Sequence, residues 1–372
     1  MSGPGRRGGQ LLTGLFAVVA LGLGGCGGEA TRVAQWSAPS QEPGEVTAAA
    51  TASADAPSPS PSPATSASSS PADSARPSVS ASRVGSGTQR PARPGCPRDA
   101  GLSQAWASWP MPNSPGSGLP NPAAYTDLGN GTVRDNVTCL VWQRQPSPVE
   151  YTFAGAQAYC ASLDLGGGGW HLPSRVELTS IVDVGRVGPA IDPAAFPRTP
   201  ARFFWTSTPW ALAHTPPFAW IINFYEGLAS NAGNQSGEYW ARCVRSPGGS
   251  GGPTYRVLSA EQVEDPYTGL IWQRSTSPTT MSAAAAAGYC RGLTVGGQQW
   301  RLPSVKELAT TVDESDVAPA IDEAAFPRTA KSTWYWSSSV AKADATSTWA
   351  LNYDDGFTNY RNITAGYVRC VR

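Results

Sequence analysis

The 372 residues divide into three regimes of apolar and polar patterning. Leu11 to Leu23 is a mostly apolar stretch behind the basic pair Arg6 and Arg7. It is shorter than the ~20 residues that a membrane-crossing helix needs and has the layout of an export signal. From Gly27 to about Gly95 apolar side chains are sparse and without period, and the run Pro57-Ser-Pro-Ser-Pro-Ser-Pro63 forbids a regular element. Such a segment buries too little apolar surface to offset chain entropy, so a disordered stalk is expected, with a reach on the order of 45 Å. The third regime, from Cys96 to the end, carries the periods of folded structure.

Within that regime, Thr152 to Leu163 sets Ala156, Tyr159, Cys160 and Leu163 on one helical stripe behind a Thr152 cap, and Ser282 to Leu293 is an alanine-rich counterpart. Ser174-Arg-Val-Glu177 and Ser304-Val-Lys-Glu307 are capping boxes that open a second helix, the first running to about Asp183. Thr132 to Gln143, Phe203 to Thr206, Ala219 to Phe224 and Tyr239 to Val244 read as strands. Strand, two helices, loops and further strands make an α+β domain.

The pattern occurs twice. Leu140-Val-Trp142-Gln143-Arg144 recurs as Leu270-Ile-Trp272-Gln273-Arg274, Tyr159-Cys160 as Tyr289-Cys290, and Trp170-His-Leu-Pro-Ser174 as Trp300-Arg-Leu-Pro-Ser304. Pro189-Ala-Ile-Asp192 and Ala194-Ala-Phe-Pro-Arg-Thr199 return as Pro319-Ala-Ile-Asp322 and Ala324-Ala-Phe-Pro-Arg-Thr329. The offset is 130 up to that point, then 131 at Trp205/Trp336, 129 at Trp220/Trp349 and 127 at Cys243/Cys370. The length changes between Arg198 and Cys243 are expected in loops outside the core. The predicted organisation is a signal peptide over 1–25, a stalk over 26–95, one repeat over 96–245, a Gly-rich linker over 246–253 and a second repeat over 254–372.

The cysteines sharpen this picture. Leu23-Gly24-Gly25-Cys26 resembles a bacterial lipobox, in which the signal is cut before a cysteine that then carries lipid. That resemblance implies an exported chain anchored by lipid to the bacterial envelope, at the outer membrane or cell surface, and touching membrane through Cys26 alone. The remaining six cysteines are an even number in an exported chain, which favours disulfides. Cys160 with Cys243 and Cys290 with Cys370 are the simplest pairs because their positions repeat. Cys139 stands where the second copy has Gly269, and Cys96 is the cysteine left for it. A metal site would want close-spaced ligands such as Cys-x-x-Cys, and the chain has none. Charge removes another class: 27 Lys and Arg balance 27 Asp and Glu, which leaves no field to hold nucleic acid.

Three motifs in order resemble the Lcl C-terminal domain family, found on bacterial surface and exported proteins. They are Trp-x-Leu-Pro-Ser-x-x-Glu-Leu (Trp170 to Leu178, Trp300 to Leu308), Trp-Thr-Ser at 205–207 with Trp-Ser-Ser at 336–338, and Arg-Cys-Val-Arg (Arg242 to Arg245, Arg369 to Arg372). The resemblance covers both repeats. It implies a C-type-lectin-like fold, in which a disulfide from a helix to the last strand recurs, and a namesake domain that belongs to a collagen-like adhesin binding sulfated glycans. This chain has no Gly-X-Y run, and from Tyr125 onward 19 Lys and Arg stand against 21 Asp and Glu without a basic run, so neither the trimerising stalk nor the sulfated ligand carries over.

Candidate chemistry is sparse. Of the two histidines, His171 is replaced by Arg301 in the second copy and His214 has no counterpart, so no histidine catalyst is common to both; surface histidines are expected. Trp336-Ser-Ser-Ser339 has no nominated base and reads as a strand or loop edge. The sharper motif is Trp-x-x-Asn-x-x-x-Gly, at Trp220, Asn223 and Gly227 and again at Trp349, Asn352 and Gly356, with Glu226 in one copy and Asp354 and Asp355 in the other. Carboxylate and amide oxygens are the ligands calcium takes, and lectins of this kind use calcium to hold sugar hydroxyls, whereas a hairpin with Gly at its turn explains the motif without metal. The paired acid and amide motifs of calcium-dependent lectins, Glu-Pro-Asn and Gln-Pro-Asp, are absent. No other cofactor is expected. The tryptophans matched in both copies are expected in the core. The leading expectation is a non-catalytic binding or adhesion lipoprotein whose two lectin-like domains recognise an extracellular glycan or protein. The alternatives are an oxidative enzyme of the formylglycine-generating type, which needs free cysteines, and an envelope spacer without ligand.

Overall fold

The computed structural model describes residues 102–103, 106–107, 109–212, 217–246, 248–249, 254–360 and 362–372; the export signal, Cys26, the stalk, Cys96 and His214 lie outside the described residues. Both repeats belong to one compact unit, Gly87–Arg372.

A short strand β1 (Leu102–Ser103) precedes β2 (Tyr125–Asp127), β3 (Thr132–Asp135), β4 (Val141–Gln143), helices α1 (Phe153–Ala161) and α2 (Arg175–Ser180), and strands β5 (Phe203–Pro209), β6 (Phe218–Asn223), β7 (Leu228–Asn234) and β8 (Val244–Arg245). After β9 (Gly248–Gly249) the second copy runs through β10 (Arg256–Val257), β11 (Gln262–Asp265), β12 (Leu270–Gln273), α3 (Ala283–Gly292), α4 (Val305–Ala309), β13 (Trp334–Val340), β14 (Thr348–Asn352) and β15 (Thr358–Asn359). Each repeat holds two small antiparallel sheets, β2-β3-β4-β8 and β5-β6-β7 in the first, β10-β11-β12 and β13-β14-β15 in the second. Small sheets with few helices are thus the architecture of both.

Local chemistry accounts for the elements. Thr152 caps α1 by accepting from Gly155 N, and Ser174 and Ser304 close reciprocal capping boxes with Glu177 and Glu307. Both second helices are short, and α2 ends at Ser180 rather than near Asp183. The stretch 132–143 is two strands instead of one. Asp135, fully buried, accepts from Val137 N at 2.8 Å and Thr138 N at 3.3 Å and folds the chain into a turn. The residue that completes this turn has φ +67° at Cys139 and +72° at Gly269, so the second copy uses the residue that takes this conformation without strain. Burial pushes the Asp135 carboxyl up to about 6.

The segment 239–244 also differs from the expected continuous strand. It makes single bridges from Tyr239 to Tyr151, from Trp240 to Phe204 and from Val244 to His171 before β8 pairs with β4. Arg242 explains this path: its guanidinium is fully buried, donates to the Gln143 and Arg144 carbonyls at 2.7 Å and to Thr199 Oγ1 at 2.7 Å, and lies 4.9 Å from the Phe196 ring. Burial pushes its pKa down to about 9, which leaves it charged at neutral pH. Arg369, equally buried, lies 4.7 Å from the Phe326 ring and donates to Thr329 Oγ1 at 2.9 Å, so the Arg-Cys-Val part of the motif belongs to the core of both copies.

The region of length changes, expected outside the core, instead contains β5-β6-β7, in which Phe204, Trp205, Trp220 and Ile222 are buried. The changes fall just ahead of β5, in the β5–β6 connection and around β7, which is seven residues long against two in β15. Strand β6 is buried from Ala219 to Ile222 without alternation, the pattern of a strand covered on both faces. The disulfides Cys160–Cys243 and Cys290–Cys370 are formed, each joining a helix to the last segment of its repeat. Each closes a loop worth about 4.5 kcal/mol in the chain-entropy model. Cys139 is disulfide-bonded as well.

Candidate functional site

The motif singled out by sequence is a β-turn in each copy. Asn223 Oδ1 accepts from Tyr225 N at 2.9 Å, and Asn352 Oδ1 from Asp354 N at 2.8 Å. Gly227 and Gly356 close the turns at φ +94° and +84°, and a Cβ on either would lie under 2.7 Å from Val182 or Val312. The glycines are therefore required by both conformation and space.

These two hairpins do not open to solvent as a pair of separate sites. They face each other. Glu226, buried, accepts from Tyr360 Oη of the other repeat at 2.7 Å, and Asp355 Oδ2 accepts from Asn231 Nδ2 at 2.7 Å. At the offset of 129, Glu226 corresponds to Asp355 and Asn231 to Tyr360, so the two bonds are one contact made twice in opposite senses. Between them Ala229 N donates to Thr358 Oγ1 at 3.3 Å, and these are equivalent residues of the two copies. A residue meeting its own counterpart lies at an approximate two-fold axis, the mark of an isologous contact. Trp349 and Tyr360 accordingly belong to the same apolar cluster as Trp220, Val182 and Leu228.

Two cations cross this face. Arg175 Nε donates to Glu314 Oε1 at 2.7 Å, Nη1 donates to the Gly356 carbonyl at 2.9 Å, and the guanidinium stacks 4.2 Å over Trp220. Thr208 Oγ1 donates to the other Glu314 oxygen at 2.8 Å. Lys306 sends Nζ the opposite way, to the Ser180 and Val182 carbonyls at the end of α2, both at 2.7 Å. Burial pushes the Lys306 ammonium down to about 8, with Asp135 and Asp183 acting against the shift. Burial likewise raises the Asp355 carboxyl above its ordinary range.

The expected ligand set is therefore redistributed. Asn223 and Asn352 shape turns, Glu226 and Asp355 join the repeats, and Asp354 Oδ1 accepts from Ser332 N at 2.7 Å. Among the described residues no group of three or more His, Cys, Asp and Glu is placed to hold a metal ion. His171 is half-buried and has a partner: its Nε2 lies 3.3 Å from both Glu177 oxygens, as the Arg301 guanidinium meets Glu307 at 2.7 Å in the other copy. Ser246 Oγ approaches the same Nε2 at 3.5 Å, so acid and hydroxyl share one ring nitrogen, whereas a relay uses the two different ones. The serines of β13 are structural: Ser337 donates to the Trp349 carbonyl and Ser339 accepts from Val305 N. Sequence reasoning passed over Arg175, Lys306 and Glu314, because each differs from its counterpart (Val305, Val176 and Val184).

A family model described as the Lcl C-terminal domain matches residues 131–245 and again residues 261–372. No curated protein matches the chain.

Proposed function

We propose a binding role for this chain, which belongs to the Lcl C-terminal domain family through both of its repeats. In this reading it is an exported lipoprotein, anchored at Cys26, whose two lectin-like domains display one rigid, non-catalytic binding body for an extracellular glycan or protein. The observation that carries the reading is the use made of the polar residues common to the copies. Arg242 and Arg369 donate to the Thr199 and Thr329 hydroxyls in the core, Glu177 and Glu307 cap helices, and Gln143 and Gln273 donate to the Tyr159 and Tyr289 hydroxyls. Residues shared by the copies thus serve the scaffold, and the copies differ in loops such as the β5–β6 connection, where modules on a rigid scaffold carry recognition. All five cysteines among the described residues are disulfide-bonded, which weighs against an oxidative enzyme working through free thiols.

Locking the repeats together fixes the distance between any two equivalent loops, so avidity would depend on the spacing of epitopes. Screening the mature chain, residues 26–372, on glycan and extracellular-protein arrays tests the role. Reproducible capture of one ligand class, weakened by truncating the β5–β6 connection, is the expected result. Absence of any binder across both arrays would overturn it in favour of a spacer.

A further inference from the structure

The face between the repeats is symmetric in position and asymmetric in charge. Position 175 of one copy corresponds to 305 of the other, and 184 to 314, at the constant offset of 130. On one side of the two-fold the two positions hold Arg175 and Glu314, an ion pair with side chains 3% and 9% exposed. On the other side they hold Val305 and Val184, members of one apolar cluster. All four line the same cavity of about 20 Å³ at the axis.

We infer that this arrangement is a pairing code, which makes the face of the first repeat fit only the face of the second and so closes the chain on itself instead of on a like copy. Two first repeats brought together would set Arg175 against Val184 twice, and two second repeats would set Glu314 against Val305 twice. Either combination buries ions without partners, the most destabilising state of a broken internal pair. The heterologous match alone sets Arg175 and Glu314 against each other. Building clashes against the wrong partner is how specificity is ordinarily secured.

The structure also shows that the second side is ready for a pair of its own. Thr208, whose hydroxyl donates to Glu314, also accepts from Arg175 N, and Ser339 accepts from Val305 N in the same way. Ser339 thus supplies the hydroxyl that a glutamate at 184 would need.

Three double variants of the mature chain test the code, read by hydrogen exchange of the β7 and β15 amides and by solution mass. V305R/E314V gives both repeats the first repeat's code; the two arginines are then unanswered, and exchange is expected to accelerate at least about a hundredfold. V184E/V305R completes a second ion pair and is expected to keep wild-type protection. It carries the same Val305→Arg change, so a failure to accommodate arginine there would appear in both variants. R175V/E314V, apolar on both sides, is expected to stay closed as well. Opening in the first variant alone is the signature of the code. Equal protection in all three, or opening in all three, would overturn it.

Discussion

Lys306 places a cation in the middle of the shared face, and its consequence for stability can be worked through. The ammonium is buried and its pKa is lowered to about 8 from an ordinary 10.5, with burial as the main cause. The unfolded chain therefore holds a proton that the folded chain releases between those two values. Where the unfolded state binds more protons, stability rises with pH, so this group's burial cost is present in full below about pH 8 and is relieved as pH climbs toward 10.5. Inserting the two values into the linkage relation gives a gain of about 1.3 kcal/mol between pH 7 and pH 9. Lys306→Met keeps an unbranched apolar stem and removes the titration. Urea unfolding of both proteins at pH 7, 8 and 9 should show the wild type gaining on the variant by roughly 1 kcal/mol across that range. A difference that stays flat, or that moves against the wild type, would refute the reading of Lys306 as a cation held in a low-polarity interface.

Further outcomes follow from the same face and its surroundings. Gly356→Ala puts a Cβ 2.5 Å from Val312 Cγ1 and 2.7 Å from Arg175 Nη2 at φ +84°, whereas Gly269→Ala at φ +72° meets open space. Urea unfolding should show the first losing about 3 kcal/mol or more and the second about 1 kcal/mol. Asp135 runs opposite to Lys306: its carboxyl is raised to about 6, so its favourable contribution is present below about pH 4 and is lost as pH rises through 6. Asp135→Asn should flatten the fall in stability between pH 4 and pH 6 and leave the variant more stable than wild type at pH 7, by about 3 kcal/mol, as measured by urea unfolding.

Much of the fold was legible because its signals are local or repeated. The Ser174 and Ser304 boxes announce helix starts by spacing alone, and the Cys160–Cys243 and Cys290–Cys370 bonds follow from duplicated positions. Thr132 to Gln143 was misread as one strand because a buried Asp135 turn leaves no Gly or Pro in the first copy; Gly269 in the second was the available clue. Tyr239 to Val244 looks like a strand because it is a short apolar run broken only by Arg242, although Tyr239, Trp240 and Val244 each bridge a different neighbour around that buried arginine. The hairpins of Asn223 and Asn352 were found, but their placement was not, since nothing local says that a turn carrying acid groups will be covered by its own duplicate. The signal that could have revealed it is the complementary exchange of Arg175 and Glu314 for Val305 and Val184. Residues shared by the copies build each core, whereas differing ones such as Arg175, Lys306 and Glu314 join the two.

Contact between the two hairpins at an approximate two-fold is tested most directly by a cross-link across the axis. Ala229 N and Thr358 Oγ1 are 3.3 Å apart, which holds the two Cα atoms within about 7 Å and brings cysteines at both positions near the span of a disulfide. Non-reducing peptide mapping of the A229C/T358C mature chain should recover one intrachain peptide joining positions 229 and 358, beside the native Cys160–Cys243 and Cys290–Cys370 peptides, in a protein of unchanged solution mass. Free thiols at both positions, or a bond between them only in dimers, would contradict the arrangement.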